Sequence, residues 1–280
     1  MIALEQLTLQ VCAVARRAGI FIRSERQQFR ASSVECKHAH DYVSYVDKQS
    51  EQLIVDSLRQ LLPQAGFITE EGLAHHADEP LCWVVDPLDG TTNFIHQHPP
   101  YAVSIALMQH DEILLGVVYE VCADECFYAW QGGGAWMTKH ASCCDGTDNQ
   151  QPHTVRLHTS DVQMADALLC LQLPYNSEAY NPVVRSLIAR FYGCAASVRM
   201  LGSAAIALCY VAAGRLDGYA EQYIGQWDYM AGALIVSEAG GRVTDYAGST
   251  AFTHGNSVVA ANALIHDELL AGVSDAVKSH

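Results

Sequence analysis

Basic residues are scarce in this sequence: 16 Lys and Arg stand against 31 Asp and Glu over 280 residues, a formal charge of -15. Such a surface repels nucleic acid, anionic lipid and phosphorylated small molecules alike, so no nucleic-acid partner is expected and an anionic substrate needs a local source of positive charge. Long apolar runs are missing too. No stretch approaches the roughly 20 residues of a membrane span. The opening "MIALEQLTLQVCAVARRAG" is interrupted by Glu5, Gln6, Gln10, Arg16 and Arg17, so it reads as an amphipathic helix and not as a secretory signal. No C-x-x-C pair occurs, and "QGGGAW" has the wrong spacing for a G-x-G-x-x-G or G-x-x-x-x-G-K-[ST] phosphate loop. The ten cysteines are scattered, most of them in apolar runs, as expected of reduced thiols in a cytoplasmic protein. Cys143 and Cys144 are adjacent in a polar loop and read as loop residues, not as a redox or metal pair.

What is present is half apolar, enough for one large domain or two intimately packed halves. Helical periodicity covers about 3–29 and about 48–62, the latter stopped by Pro63. Short apolar runs follow, "GFIT", "CWVVD", "AVSIALM", "ILLGVVYEV" and "ECFYAW", strand-like in length and separated by turn signals. The polar stretch 138–153 is the expected boundary between an N-terminal half, 1–145, and a C-terminal half, 146–280. Beyond it strands near "HTVRLH", "ALLCLQL", "LDGYAEQ" and "NSVVAAN" alternate with helices in "NPVVRSLIARFY", "SAAIALCYVAAG" and "WDYMAGALIVSEAGG". Strands mixed with helices of this length predict an α/β layered architecture.

The chemistry concentrates in "WVVDPLDGTTNF", where an apolar run ends on Asp86 and Asp89. Pro87 and the Gly90-Thr91-Thr92 turn put both carboxylates where a strand meets a helix. A helix cap explains one aspartate, not two. Hard divalent cations between them would relieve the repulsion and, with free N–H groups at the helix start, make a positive phosphate site in an acidic protein. Glu70 and Glu71 in "FITEEG" and Asp228 in "GQWDYMAG" are placed to add ligands. Singly they also read as a solvated turn and as a first-turn acid favoured by the helix dipole.

These residues resemble the inositol monophosphatase family. "DPLDGTTNF" (86–94) matches its first signature and "WDYMAGALIVSEAGG" (227–241) its second, with further likeness in "DYVSYVDKQSE", "GFITEEG", "PPYAVSIAL" and "LGSAAIALCYVAAGRLDGYAE", so nearly the whole chain is covered. The core Asp-Pro-x-Asp-Gly-Thr should arise by chance in roughly one such chain in 10⁴. The resemblance implies an α/β fold of alternating helix layers and mixed sheets (αβαβα). It implies a Li⁺-sensitive phosphatase with two to three Mg²⁺ ions, usually homodimeric, hydrolysing a small phosphorylated polyol such as inositol 1-phosphate through metal-activated water. By motif, Glu70, Asp86 and the Leu88 carbonyl would hold one metal, Asp86, Asp89 and Asp228 a second, and Glu70 with water a weaker third. Thr91, oriented by Asp47, would align and deprotonate the attacking water, and the N–H groups of Gly90 and Thr91 would hold the phosphate. Asp89, Gly202, Ser203, Ala204 and Glu221 would meet substrate hydroxyls.

Plainer readings stand beside several of these. Asp47 suits a capping acid before a helix starting near Lys48, Gly202 and Ser203 a helix start, and Glu221 a strand-end acid. Lys37 stands off the position where the family often has a lysine. His75 and His76 read as loop residues, and Glu71 is the alternative ligand to Glu70. Histidinol phosphate, 3′-phosphoadenosine 5′-phosphate or a sugar phosphate remain alternative substrates, although "GTTNF" lacks the Lys-Glu of the relatives that act on the second. A relative that keeps the fold in a regulatory role without turnover is the remaining alternative.

Overall fold

The structure is a computed structural model that describes residues 3–29, 34–38, 41–74, 79–140, 152–172, 177–251, 253 and 255–280. His75, His76, Cys143 and Cys144 lie outside the described residues, as does the side chain of Lys37.

Five layers alternate. The outer one pairs α1 (Leu4–Arg26) with α2 (Tyr45–Leu61). A seven-stranded sheet follows, in the order β3 (Gly66–Thr69), β4 (Leu81–Asp89), β5 (Ala102–Gln109), β6 (Glu112–Glu120), β7 (Glu125–Trp130), β8 (Gly134–Lys139), β9 (His153–Arg156). Only β3 and β4 run parallel in it. The central layer is α5 (Ala204–Ala212) against α6 (Gln226–Glu238). Beyond it lies a five-stranded sheet of β11 (Ser197–Arg199), β10 (Leu168–Leu171), β12 (Gly218–Gln222), β14 (Ser257–Ala261) and β13 (Arg242–Thr244), in that order. The last layer is α4 (Ser177–Phe191) with α7 (His266–Lys278). No helix among the described residues is long and apolar enough to cross a membrane.

Both faces of the large sheet are buried along β4, β5, β6 and β7, which is why these strands read as continuous apolar runs and not as alternation. Trp83 and Val85, Val103, Ile105 and Leu107, and Leu115 and Val117 pack toward α1 and α2. The opposite face, toward α5 and α6, includes the small side chains Ala102, Ala106 and Ala129 beside Val84, Val118 and Phe127. The period-two division follows from the pleat. Small residues on the second face let α6 approach closely.

Several boundaries differ from the sequence expectation. The second helix starts at Tyr45, ahead of Lys48, because Ser44 caps it and Asp47 closes a capping box from its third position. A two-stranded ribbon, β1 (Val34–His38) with β2 (Asp41–Ser44), and the strands β8, β11 and β13 were not foreseen. β9 falls after the expected boundary yet pairs with β8, so the large sheet takes a strand from beyond 145.

A Cβ at Gly116 on β6 would come within 2.6 Å of the Ala231 carbonyl oxygen and 2.8 Å of its Cα. Glycine here sets how near α6 lies to the sheet. The change Gly116→Ala is expected to destabilise the fold by about 1–3 kcal/mol, the usual cost of overpacking, despite the smaller chain entropy of alanine. Urea unfolding measures this, and an unchanged midpoint would contradict the close helix-to-sheet contact.

Candidate active site

The site begins with an irregularity in β4. Asp86 pairs with Ser104 and Asp89 with Ala102, so β4 holds one more residue than β5 over this stretch. Pro87 has no N–H to give the ladder, and the Leu88 N–H turns back to Asp86 Oδ1 at 2.8 Å. The bulge draws Asp86 and Asp89 together. Gly90 then takes φ +90°, and a Cβ there would meet the carbonyl oxygens of Gly202 and Pro100, each at 3.1 Å. Only glycine suits a left-handed residue in that space. The short helix α3 (Thr91–Ile95) starts at once.

Asp228 arrives from the other side. It is the third residue of α6, where its Oδ2 accepts the Gly225 N–H at 2.8 Å. Ser104 on β5 donates its hydroxyl to the Trp227 carbonyl at 2.9 Å. The cross-strand partner of Asp86 thus pins the residue next to Asp228. Carboxylate oxygens of Asp86, Asp89 and Asp228 all lie within 4.8 Å of one another. Glu70, whose N–H donates to Val85 at 3.1 Å, lines the same cavity of about 420 Å³ as Asp89, Gly90, Gly202, Glu221 and Asp228.

Asp89 is held by the start of α5: it accepts from the Ser203 hydroxyl at 2.5 Å, the Ala205 N–H at 2.9 Å and the Ala204 N–H at 3.3 Å. The Ser203 hydroxyl and the Ala204 N–H, candidates for substrate contact, are therefore engaged by Asp89. Gly202 gives its N–H to Gln172 at 3.2 Å. Glu221 is nearly buried and accepts from the Tyr219 hydroxyl.

Burial and crowding decide the electrostatics. Asp86 is pushed well above the usual carboxylate range by burial, then by Glu70, Asp89 and Asp228. Burial, and then the charge of Asp228, push Asp89 up to about 7 against the hydrogen bonds from α5. Asp228 is pushed up to about 6, again chiefly by burial. Without a cation these groups hold protons at pH values where carboxylates normally shed them. Buried hard oxygen donors that converge this closely fit a divalent cation of the Mg²⁺ or Ca²⁺ type.

Asp47 serves two ends. Its Oδ2 takes the Ser44 N–H at 2.8 Å and the Ser44 hydroxyl at 2.7 Å, closing the capping box of α2. Its Oδ1 lies 3.0 Å from the Thr91 hydroxyl, which also lies 3.1 Å from the Leu88 carbonyl. Burial raises the Asp47 carboxyl, and four hydrogen bonds oppose that. The capping role expected of Asp47 and its contact to Thr91 therefore coexist.

Some supporting residues carried no sequence signal. Ser104 is a polar residue inside the apolar run of β5. Glu51, fully buried on α2, accepts from the Thr69 hydroxyl and from the N–H groups of Glu71 and Leu73, each at 2.8 Å, and so fixes the segment that carries Glu70. Asn93 ties α3 to the approach of α5 by donating to Pro100 and Leu201 at 2.8 Å.

Residues 3–279 match the model of the inositol monophosphatase family. The chain belongs to the inositol monophosphatase family. It is 36% identical over 271 residues, 96% of each chain, to the protein named Nus factor SuhB of Salmonella typhimurium. It is 36% identical over 264 residues, 92% of each chain, to the inositol-1-monophosphatase of Mesorhizobium japonicum. A solved Thermotoga maritima IMPase superposes with a TM-score of 0.82 at 30% identity, over 96% of each chain. Family membership agrees with a metal-dependent phosphatase scaffold and a phosphorylated substrate. The expectation that this family member meets no nucleic acid gains no support from relatives named as Nus factors.

A stability test follows from the cluster. A carboxylate whose pKa is raised by folding stabilises the fold below its unfolded value near 3.8, and that contribution is lost as pH rises through the folded value. In a chelator the protein is therefore expected to lose thermal stability between about pH 4 and pH 7, and added Mg²⁺ is expected to restore it most at the upper end. Melting curves at pH 5 and pH 8, with chelator or Mg²⁺, test this. Equal Mg²⁺ effects at both pH values would contradict the assignment.

Proposed function

We propose that this family member is a Mg²⁺-dependent phosphomonoesterase that hydrolyses inositol 1-phosphate to inositol and phosphate. The observation that carries the reading is the cluster of Asp86, Asp89 and Asp228, which meets Glu70 at a cavity of about 420 Å³, ample for a small phosphate ester. In this reading Glu70, Asp86 and the Leu88 carbonyl would hold one cation, and Asp86, Asp89 and Asp228 would hold another. Bound there, the cations supply Lewis acidity, activating water near neutral pH and offsetting negative charge on the phosphate.

The remaining steps belong to the chain itself. No described residue accepts the N–H of Gly90 or Thr91, which leaves both for phosphate oxygens at the start of α3. The Thr91 hydroxyl has one proton, directed to Asp47 Oδ1 or to the Leu88 carbonyl, so its lone pairs are free to accept from the attacking water. Asp47, with its raised affinity for protons, is suited to take up the proton that Thr91 passes on. Glu221, near the far end of the cavity, meets a hydroxyl of the leaving alcohol, with Asp89 reaching the nearer one.

A second reading rests on the relatives named as Nus factors: the fold and its cation site kept without turnover. One assay separates the two. Phosphate release is measured in Mg²⁺, with and without Li⁺, from inositol 1-phosphate, histidinol phosphate and 3′-phosphoadenosine 5′-phosphate. Li⁺-sensitive release, greatest from inositol 1-phosphate and abolished in Asp89→Asn, is the expected result, and Thr91→Ala should lower kcat by about 10²–10⁴. Faster release from another ester would keep the chemistry and change the substrate. No release from any of the three, with Mg²⁺ still stabilising the protein, would overturn the catalytic reading.

A further inference from the structure

One wall of the cavity is made where two parallel strands run side by side. β10 and β12 pair through Leu169↔Gly218, Cys170↔Tyr219 and Leu171↔Ala220, and the Gln172 N–H extends the ladder to the Ala220 carbonyl at 3.1 Å. Gln172 and Glu221 are the next residues in register, and both line the cavity. The carboxyl ends of parallel strands are a common place for ligand recognition in α/β folds.

The orientation of the Gln172 amide follows from its partners. Its Oε1 lies 3.0 Å from the Leu201 N and 3.2 Å from the Gly202 N. Two backbone N–H groups can be matched only by the amide oxygen, so the NH₂ is the other end. No described residue accepts from that Nε2. Beside it, Glu221 receives the Tyr219 hydroxyl on Oε2, and no described residue donates to Oε1. The cavity wall therefore offers one donor next to one acceptor.

We propose that Gln172 is a specificity-determining residue, donating from Nε2 to a hydroxyl oxygen of the leaving alcohol while Glu221 accepts a hydroxyl proton, so that the pair selects an uncharged polyol monophosphate. The proposal deepens the phosphatase reading and rests on it. A hydroxyl both accepts and donates, and so satisfies both groups. An ammonium group only donates: it would suit Glu221 and leave the Gln172 NH₂ facing another donor. A second phosphate only accepts: it would suit Gln172 and leave Glu221 Oε1 facing another acceptor. Sites built to hydrogen-bond a hydroxyl discriminate strongly, because a buried group left unmatched is costly.

The test uses Gln172→Glu, which keeps an oxygen for Leu201 and Gly202 but cannot donate when ionised, beside Gln172→Met, which loses both. For each, kcat/KM is measured on inositol 1-phosphate, on histidinol phosphate and on phenyl phosphate, whose leaving group has no further hydroxyl. Calorimetric binding of inositol 1-phosphate with Mg²⁺ runs in parallel. Gln172→Glu is expected to lower the ratio of inositol 1-phosphate to phenyl phosphate about tenfold, mainly through KM, and to raise the ratio of histidinol phosphate to inositol 1-phosphate. A purely structural role would reduce all three esters together, and unchanged ratios would overturn the proposal. If the wild type turns over no ester, the phosphatase reading falls. In that case about tenfold weaker binding of inositol 1-phosphate by Gln172→Glu still supports the role of Gln172, and equal binding, or none by the wild type, overturns it.

Discussion

Like charges held together in the interior set the terms for the rest of this molecule. Two unit charges about 4 Å apart repel by roughly 4 kcal/mol at the effective dielectric of a protein, and here three carboxylates share a space in which their oxygens lie within 4.8 Å. Each is fixed by a different piece of backbone. Asp86 takes the Leu88 N–H of its own bulge, Asp89 the N–H groups that open α5, and Asp228 the Gly225 N–H ahead of α6. Backbone donors aim the carboxylates without neutralising them. Burial raises the pKa values of all three, with neighbouring carboxylates adding to it at Asp86 and Asp89, and a divalent cation would offset both effects.

Because backbone does the aiming, the spacing of layers controls the site. Asp86 and Asp89 belong to a sheet, while Asp228 belongs to a helix lying on it, so their distance depends on how closely α6 and the sheet pack. Gly116 leaves room for Ala231, and Gly232 on α6 leaves room for Leu208 of α5, where a Cβ would fall 2.6 Å away. Ser104 adds a direct tie from β5 to the first turn of α6. A core packed with larger side chains on this face would hold the same fold at a wider spacing and separate the three carboxylates.

The parts of the site that were legible in the sequence are the local ones. Asp86, Pro87, Asp89 and Gly90 are contiguous, and each residue type reports its own backbone need: a missing donor, a left-handed turn, a carboxylate at a strand end. The layered architecture was legible too, since strands such as Val84–Val85 and helices such as α5 are apolar on every side and have to lie inside. What escaped were features set by distant partners. β11 and β13, three residues each, exist only by pairing with β10 and β14. The sequence points to a start of α2 near Lys48 because Tyr45 and Val46 favour strands, whereas Ser44 and Asp47 cap a helix that begins at Tyr45. Ser104 reaches Trp227 and Gln172 reaches Leu201, contacts that no periodicity announces.

In the proposed phosphatase, chemistry and recognition come from different sheets. The large sheet supplies Asp86 and Asp89, with Thr91 just beyond its β4 end, whereas Gln172 and Glu221 stand at the ends of β10 and β12 in the small one. The two meet only because α5 and α6 start between them, and Asp89 is the joint, bonded to α5 while it faces Asp228. Under the proposed function, a change at Gln172 that keeps its oxygen acceptor alters which alcohol is accepted while the Leu201 and Gly202 contacts ahead of α5 stay in place. The converse does not hold. Loss of one carboxylate from a cation-filled cluster would leave buried charge unmatched, so a relative without turnover would still have reason to keep the set. Intact ligands alone therefore cannot separate a phosphatase from a silent relative, and the distinction has to come from the groups that stability does not require, the Thr91 hydroxyl and the Gln172 amide nitrogen.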